Sequence, residues 1–352
     1  MREAIGLSLI HVGRTGSNPS VGCVIVKDGH VVGRGVTALG GRPHAEPQAL
    51  AEAGDKARGA TAYVTLEPCS HHGKTPPCAN TIIAAGISRV VVAVADPDPR
   101  VSGQGLKMLA DADIEVTIGV LQKEARRAMS GYLTRQTKGR PQVILKLAVS
   151  ADGMLGREGA GQVAITGPEA RTEVHRLRAA SDAILVGIGT ALADDPELTV
   201  RLPGLEEASP LRVVLDRRAE LPASSKLART AGSVPVLVAV STGAKGNRAA
   251  LAEAGAEIVE LEGVEELLSM LAQRGISSLM VEGGARVASD LLSRGLVDRI
   301  HLYCGEIIGG AGGIASPITA SQMPPGFALV EERILGRDRL RIYDRLPASA
   351  WL

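Results

Sequence analysis

The sequence predicts an α/β protein of two domains, and three observations carry that prediction. At 352 residues the chain exceeds one average core and suits two domains of about 150 to 200 residues. Strand-length apolar runs alternate with helical stretches from one end to the other. One Trp, one Phe and 42 glycines leave the cores to Ala, Val, Ile and Leu, a composition suited to layered helices and sheets.

The opening MREAIGLSLIHVGRTG reads as a first helix; broken by His11 and Arg14 and lacking a small-residue cleavage site, it makes a poor signal peptide. VGCVIVKDG and HVVGRGV form a hairpin about Asp28-Gly29, followed by a helix from Ala45 to Ala53 and the strand ATAYVTLEP. A helix at 79–85, the strand SRVVVAVAD, the helix GLKMLADA, the strand IEVTIGV and a helix at 122–135 complete a series that predicts a mostly parallel sheet covered on both faces. QTKGRPQ at 136–142 is polar with Gly and Pro, so it is read as the linker between domains 1–138 and 143–352. Beyond it come QVILKLAVS, a Gly-rich loop at 153–161, a helix at 168–180, and the strands AILVGIG, LRVVLD, VPVLVAV, AEIVEL, SSLMVEGG and RIHLYCGEIIG. A hairpin about Gly336-Arg337-Asp338 closes the chain.

Lys plus Arg total 39 against 38 for Asp plus Glu, so no global basic field exists to hold DNA or tRNA, and a small-molecule substrate is expected instead of nucleic acid. The longest apolar run is VVVAVA at 90–95, far short of a membrane span. Four cysteines without an export signal predict a cytoplasmic protein with no disulfide framework, in which Cys23 and Cys304 are core thiols.

His44-Ala45-Glu46 opens a helix, Pro68-Cys69 ends a strand, and Cys78 follows nine positions later. One imidazole and two thiolates supply three tetrahedral positions of zinc and leave the fourth for water, as in a catalytic site. Glu46 is then the proton shuttle of a hydrolytic deamination. The zinc-deaminase pattern is H-x-E with P-C-x-x-C, whereas here SHHGKTPP separates the cysteines. Either His71 or His72 displaces a cysteine, or the loop bulges outward while Cys69 and Cys78 remain ligands; Pro76-Pro77, able to return Cys78 rigidly, favours the second.

In the second half, Val281-Glu282-Gly283-Gly284 and Gly187-Ile188-Gly189-Thr190 each join a strand to a helix, turns able to hold phosphate through backbone amides but individually weak signals. Arg178, Asp194, Asp195 and Arg201 surround a loop containing Pro196. Lys146 stands inside an apolar strand, an unusual place for a charge unless it functions there.

SNPSVGCVIVKDG, GRPHAEPQAL, TLEPCSHHGKTPPC and ADPDPRVSGQG, then LKLAVSADG, ILVGIGTALADDPELTVR and VEGGARVASDLL, resemble in that order the bifunctional riboflavin-biosynthesis deaminase-reductase family. The resemblance covers nearly the whole chain and includes the long insert between the cysteines. It implies a cytidine-deaminase-like α/β/α sandwich followed by a dihydrofolate-reductase-like α/β domain. The implied reactions are zinc-dependent removal of the 2-amino group of a phosphoribosylaminopyrimidine, then NADPH-dependent reduction of its ribosyl group to ribityl.

The resemblance places Asn18 and Lys74 at deaminase substrate positions. It places Gln162, Arg178, Leu198, Arg201 and Glu282 at reductase substrate positions; Lys146, from its place in an apolar strand, and Glu282 are the candidates for assisting proton movement. Ala148, Ala164, Thr190, Asp194 and 284–290, including Gly284, Ala285 and Arg286, fall at NADPH positions. Three departures stand out: Thr37 where many relatives carry His, Asp98 for Asn, and Ala164 where a Trp is common. Self-association into a homo-oligomer is implied by the resemblance alone. Arg217 and Arg218 follow LRVVLD, where a cation can meet an adenosine 2′-phosphate, an expectation beyond the family pattern. The competing readings are a zinc deaminase of nucleosides or tRNA with a non-catalytic C-terminal domain, and a metal-stabilised binding protein.

Overall fold

The computed structural model describes residues 1–71 and 76–346, which divide into two compact units, 1–140 with 272–277 and 141–271 with the residues from Ser278 onward. The first contains α1 (Arg2–Ser8), β1 (Gly22–Lys27), β2 (His30–Val36), α2 (Ala45–Ala53), β3 (Thr61–Leu66), α3 (Cys78–Ala84), β4 (Arg89–Val94), α4 (Gln104–Asp111), β5 (Glu115–Ile118), α5 (Gln122–Ala128) and α6 (Ser130–Lys138). Its sheet has the order β2-β1-β3-β4-β5. β1 runs antiparallel to β2 and β3, while β3, β4 and β5 are parallel, so one strand is reversed.

Strand alternation explains how helices reach both faces. A Cβ on Gly22 would strike the Ala4 carbonyl of α1, and one on Gly35 would strike the Ala45 carbonyl of α2. Gly35 pairs with Cys23, the neighbour of Gly22, so the two glycines face opposite sides and admit α1 and α2 on opposite faces. β4, RVVVAV, is buried from its second residue onward, as expected of a strand covered twice.

The second unit contains β6 (Gln142–Val149), β7 (Met154–Arg157), α7 (Pro168–Ala179), β8 (Ala183–Gly187), α8 (Ile188–Asp194), β9 (Leu211–Leu215), α9 (Lys226–Arg229), β10 (Val236–Val240), α10 (Arg248–Glu253) and β11 (Glu257–Glu260). It continues with α11 (Val264–Gln273), β12 (Ser278–Val281), α12 (Ala285–Ser293), β13 (Arg299–Cys304), β14 (Gly313–Ala315), β15 (Phe327–Leu335) and β16 (Asp338–Arg345). Its main sheet has the order β11-β10-β9-β8-β12-β6-β13-β16-β15, parallel from β11 to β13 and closed by the antiparallel β15–β16 hairpin. β8 and β10 are buried throughout, each Val, Ile or Leu contributing on the order of 1.5 to 3 kcal/mol. Because β12 inserts between β6 and β8, the turns after β8 and β12 lie side by side at the carboxyl edge, the position where open α/β sheets bind ligands.

Four expectations are corrected. The helix placed at 122–135 is two helices, because Met129 leaves helical geometry and turns α6 so that Met129, Tyr132 and Leu133 all reach the core. The linker begins later than the polar stretch suggested: α6 continues to Lys138, and Gly139, at φ 63°, ends it in the left-handed conformation common at helix termini. The loop at 153–161 contains β7, which pairs with β14. Cys304 is half-buried rather than a core thiol; Cys23 is buried as expected.

Candidate active sites

In the first unit, each ligand candidate sits where backbone geometry changes. His44 is the residue capping α2, Cys69 lies in the turn after β3, and Cys78 opens α3. His44 Nδ1 lies 3.3 Å from Cys78 Sγ and 3.8 Å from Cys69 Sγ, and all three donor atoms fall within 4.8 Å of one another. Zinc bonds of about 2.0 to 2.3 Å arranged tetrahedrally separate neighbouring donors by about 3.5 to 3.8 Å, so the set fits that ion. The two cysteines, and not His71, therefore complete the cluster; His72 lies outside the described residues.

The thiols share a proton unequally. Cys69 is lowered to about 4, held down by the Cys78 thiol's hydrogen bond, against burial, with further help from His44 and the Cys78 backbone N–H. Cys78 is correspondingly raised, by that same hydrogen bond and by burial. Glu46, one turn into α2, is 4% exposed, and burial raises its pKa despite the opposing pull of His44. A buried carboxyl beside a metal-ligand set is the arrangement a proton shuttle needs.

A second buried carboxylate organises the neighbouring loop. Glu67, in the Glu-Pro-Cys turn, accepts hydrogen bonds from the backbone N–H groups of Asp96, Gly103, Gly105 and Leu106. Tyr132 donates to Asp96 from α6, fixing the same loop from the other side. The residue reading overlooked Glu67, although its place beside Cys69 was visible.

Asn18 is half-buried and donates from Nδ2 to the Gly41 carbonyl, near the entrance of the His44 segment. Thr37 is buried, its Oγ1 accepting from the Val21 N–H. Asp98 forms an ion pair with Arg100 at 2.5 Å, a contact an Asn could not charge-balance. Lys74 lies outside the described residues.

In the second unit, three elements bring three charges together. Arg178 of α7 holds Glu282 through Nε at 2.6 Å and Nη2 at 3.0 Å, and its Nη1 donates to the Thr199 carbonyl. Lys146 Nζ of β6 stands 3.9 Å from Glu282 Oε2, the oxygen that also accepts from Arg178 Nη2, and 5.8 Å from the Tyr303 ring centroid. Burial disfavours the Glu282 charge, but Arg178 and Lys146 prevail and hold it at about 2. Burial lowers the Lys146 pKa, with Glu282 opposing. The Arg178 guanidinium is thus engaged by Glu282 and the Thr199 carbonyl, whereas Arg201 is exposed, its guanidinium paired with Glu197 at 2.9 Å and its backbone N–H donating to His175 Nδ1.

Thr190 links the two glycine turns, its Oγ1 accepting from the Gly284 N–H. Ala148, Asp194 and Ala285 are half-buried, and Gln162, Ala164 and Arg286 are exposed. Leu198 is buried yet adopts φ 57°, a conformation few L residues take, and so holds the loop beside Arg178 in a strained form. Arg217 and Arg218 are both exposed.

Comparison with known proteins separates the halves in the same way. Residues 1–94 match the cytidine and deoxycytidylate deaminase zinc-binding region, and residues 141–336 match the RibD C-terminal domain. The riboflavin biosynthesis protein RibD of Aquifex aeolicus is 42% identical over 314 residues, covering 89% of this chain and 87% of the relative. The chain belongs to the RibD family. RibD of Escherichia coli is likewise 42% identical, over 328 residues and 85% of each chain. The solved RibD of Acinetobacter baumannii superposes with a TM-score of 0.89 at 37% identity over 98% of both chains. A Thermotoga maritima structure described as a diaminohydroxyphosphoribosylaminopyrimidine deaminase/5-amino-6-(5-phosphoribosylamino)uracil reductase gives 0.87 at 36% identity, covering 98% of this chain and 97% of that one. Both RibD parts, a zinc-binding deaminase and a reductase, are therefore present in this chain.

Proposed function

We propose that the first unit deaminates 2,5-diamino-6-(5-phosphoribosylamino)pyrimidin-4-one and that the second reduces the ribosyl group of the product to ribityl. The observation that carries the first half is the His44, Cys69 and Cys78 donor cluster with buried Glu46 beside it. These three residues would hold zinc, which when bound supplies an acidic water at neutral pH. Glu46 takes a proton from the attacking water, delivers it to the ring nitrogen and then serves the departing ammonia. Burial raises its pKa, the direction that favours uptake of a proton. Asn18 offers an amide to the pyrimidine edge, and Lys74 meets the phosphate.

In the second unit, NADPH when bound would supply the hydride for C1′. The turns joined by Thr190 and Gly284, with Ala148, Ala164, Asp194, Ala285 and Arg286, line the cofactor side, while Gln162, Leu198 and Arg201 border the substrate side. Lys146, its pKa lowered by burial, gives up a proton more readily than Glu282, which stays ionised between two cations. Lys146 is therefore the proton donor to the opening sugar ring, and Glu282 with Arg178 positions it.

Among the described residues no helix is long and apolar enough to cross a membrane. A small-molecule substrate, a cytoplasmic location, no nucleic-acid partner and a homo-oligomeric state complete the reading. Incubating zinc-loaded protein with the diaminopyrimidine and NADPH, while recording ammonia and NADPH together, tests both halves. Both signals are expected; ammonia alone would leave a deaminase with a non-reducing second unit, and neither would refute the substrate.

A further inference from the structure

The loop that follows α8 carries both Leu198 and Arg201, yet from 195 to 201 it belongs to no helix or strand. Its shape is set by bonds to other elements. Arg212 of β9, fully buried, donates from Nη1 to the Glu197 carbonyl at 3.0 Å, and Arg178 of α7 donates from Nη1 to the Thr199 carbonyl at 3.0 Å. Between those two carbonyls stands Leu198, whose φ of 57° the two guanidiniums hold in place. The next tie differs in kind: the Arg201 N–H donates to Nδ1 of His175, a half-buried residue of α7, at 3.2 Å.

A carbonyl accepts whatever the pH, and a guanidinium keeps its charge. An imidazole nitrogen has one lone pair, and a proton there turns the acceptor into a donor facing the Arg201 N–H. Three charged groups face the ring: Arg178 from its own helix, Arg201 from the loop and Glu282 from the turn after β12. Burial, then the two arginines, lower the His175 pKa, while Glu282 and the Thr199 carbonyl oppose. The bond is therefore kept through neutrality and given up only below the ordinary imidazole value of about 6.5. Arg201 has little else to aim it. Its exposed guanidinium is paired only across solvent-accessible surface with Glu197, a weak contact that a phosphate can displace.

We propose that His175 is a positioning residue of the reductase: its neutral ring, by accepting from the Arg201 N–H, turns the Arg201 guanidinium toward the substrate's phosphate, and protonation of the ring releases it. This rests on the reading above that Arg201 borders the substrate. With the backbone fixed at 201, only the side-chain rotamers remain to be ordered when the guanidinium fork meets the phosphate. His175 acts through Arg201 and takes no part in hydride or proton transfer.

The test is steady-state kinetics on the deaminated substrate with NADPH, across about pH 5 to 8, where imidazole titrates. Wild type is compared with His175→Leu, His175→Asn, Arg201→Ala and the His175→Leu, Arg201→Ala double variant. Asn keeps an acceptor near the Nδ1 position that no proton in this range removes. His175→Leu is expected to raise KM for the substrate about 5- to 20-fold, with kcat and KM for NADPH nearly unchanged, and His175→Asn to restore most of that loss. As pH falls below about 6.5 the wild-type KM should climb more steeply than that of His175→Asn, whose remaining slope belongs to the substrate's phosphate. Once Arg201 is Ala, His175→Leu should move KM less than about twofold, because the residue it acts through is gone. Parallel wild-type and His175→Asn profiles, or a His175→Leu effect equally large with and without Arg201, overturn the assignment and leave the reductase intact. The two profiles decide alone if His175→Leu proves unstable. Arg201→Ala with the wild-type KM overturns instead the reading of Arg201 as a substrate residue, and wild-type protein that oxidises no NADPH overturns the reductase reading itself.

Discussion

The two sites are built by opposite strategies. The donors His44, Cys69 and Cys78 come from the starts of two helices and the turn between them, within 35 residues of chain, and face one another directly. The reductase cluster gathers Lys146, Arg178 and Glu282 from β6, α7 and the turn after β12, the members of its closest ion pair standing 104 positions apart in the chain. The first is a local motif closed by a metal; the second is a long-range ion network that exists only once the sheet has formed. Their responses to perturbation should differ accordingly, and the following outcomes sharpen or break that contrast.

The largest effect is expected from metal removal. Chelation, or Cys69→Ser, should abolish ammonia release while NADPH oxidation continues on separately supplied deaminated substrate, measured with zinc content on the same sample. Loss of both activities together would show that the sites are not independent. Next, Glu46→Gln should slow ammonia release by about 10² to 10⁴-fold with zinc retained. A variant that also loses its zinc would make Glu46 part of the metal site instead.

Glu282→Gln should destabilise the second unit by about 3 kcal/mol, since two buried cations lose their counter-charge. The pH dependence has a defined sign. Because Glu282 is held at about 2, below the ordinary Glu value of about 4.3, its stabilisation is complete above that ordinary value and is lost as pH falls toward about 2. Wild-type and Glu282→Gln unfolding curves should therefore converge in acid and separate toward neutrality; a constant gap would remove the electrostatic explanation.

Glu67→Gln should cost about 2 kcal/mol and loosen the loop at 96–106, because an amide cannot accept from all four N–H donors, two of them 3.1 Å away at Gly103 and Gly105. Hydrogen exchange at those amides reads the change. Smallest is Thr37→Val, expected to lose about 1 kcal/mol through the unpaired Val21 N–H while leaving KM for the pyrimidine within twofold. A large KM effect would place Thr37 against substrate.

Legibility followed the same division. The β1–β2 hairpin, α2 and the donor triad were readable because Asp-Gly turns, helical spacing and H-x-E act over a few residues. The break at Met129 was not, since the sequence stays helix-compatible and only core packing redirects it. The β7–β14 pair escaped for a related reason: β14 has three residues and lies far along the chain from its partner. Arg178 and Glu282 were each singled out, yet their mutual bond was invisible because only the strand order places them together.

Leu198 shows what such a site demands of sequence drift. Its left-handed backbone invites glycine, whereas its buried side chain forbids one: the first change relieves strain and the same change empties a filled space. β-Branched replacements fit the backbone worse still. A position caught between these demands has few single-step neighbours, so the loop from Asp195 to Thr199 should diverge, if at all, by several residues changing together.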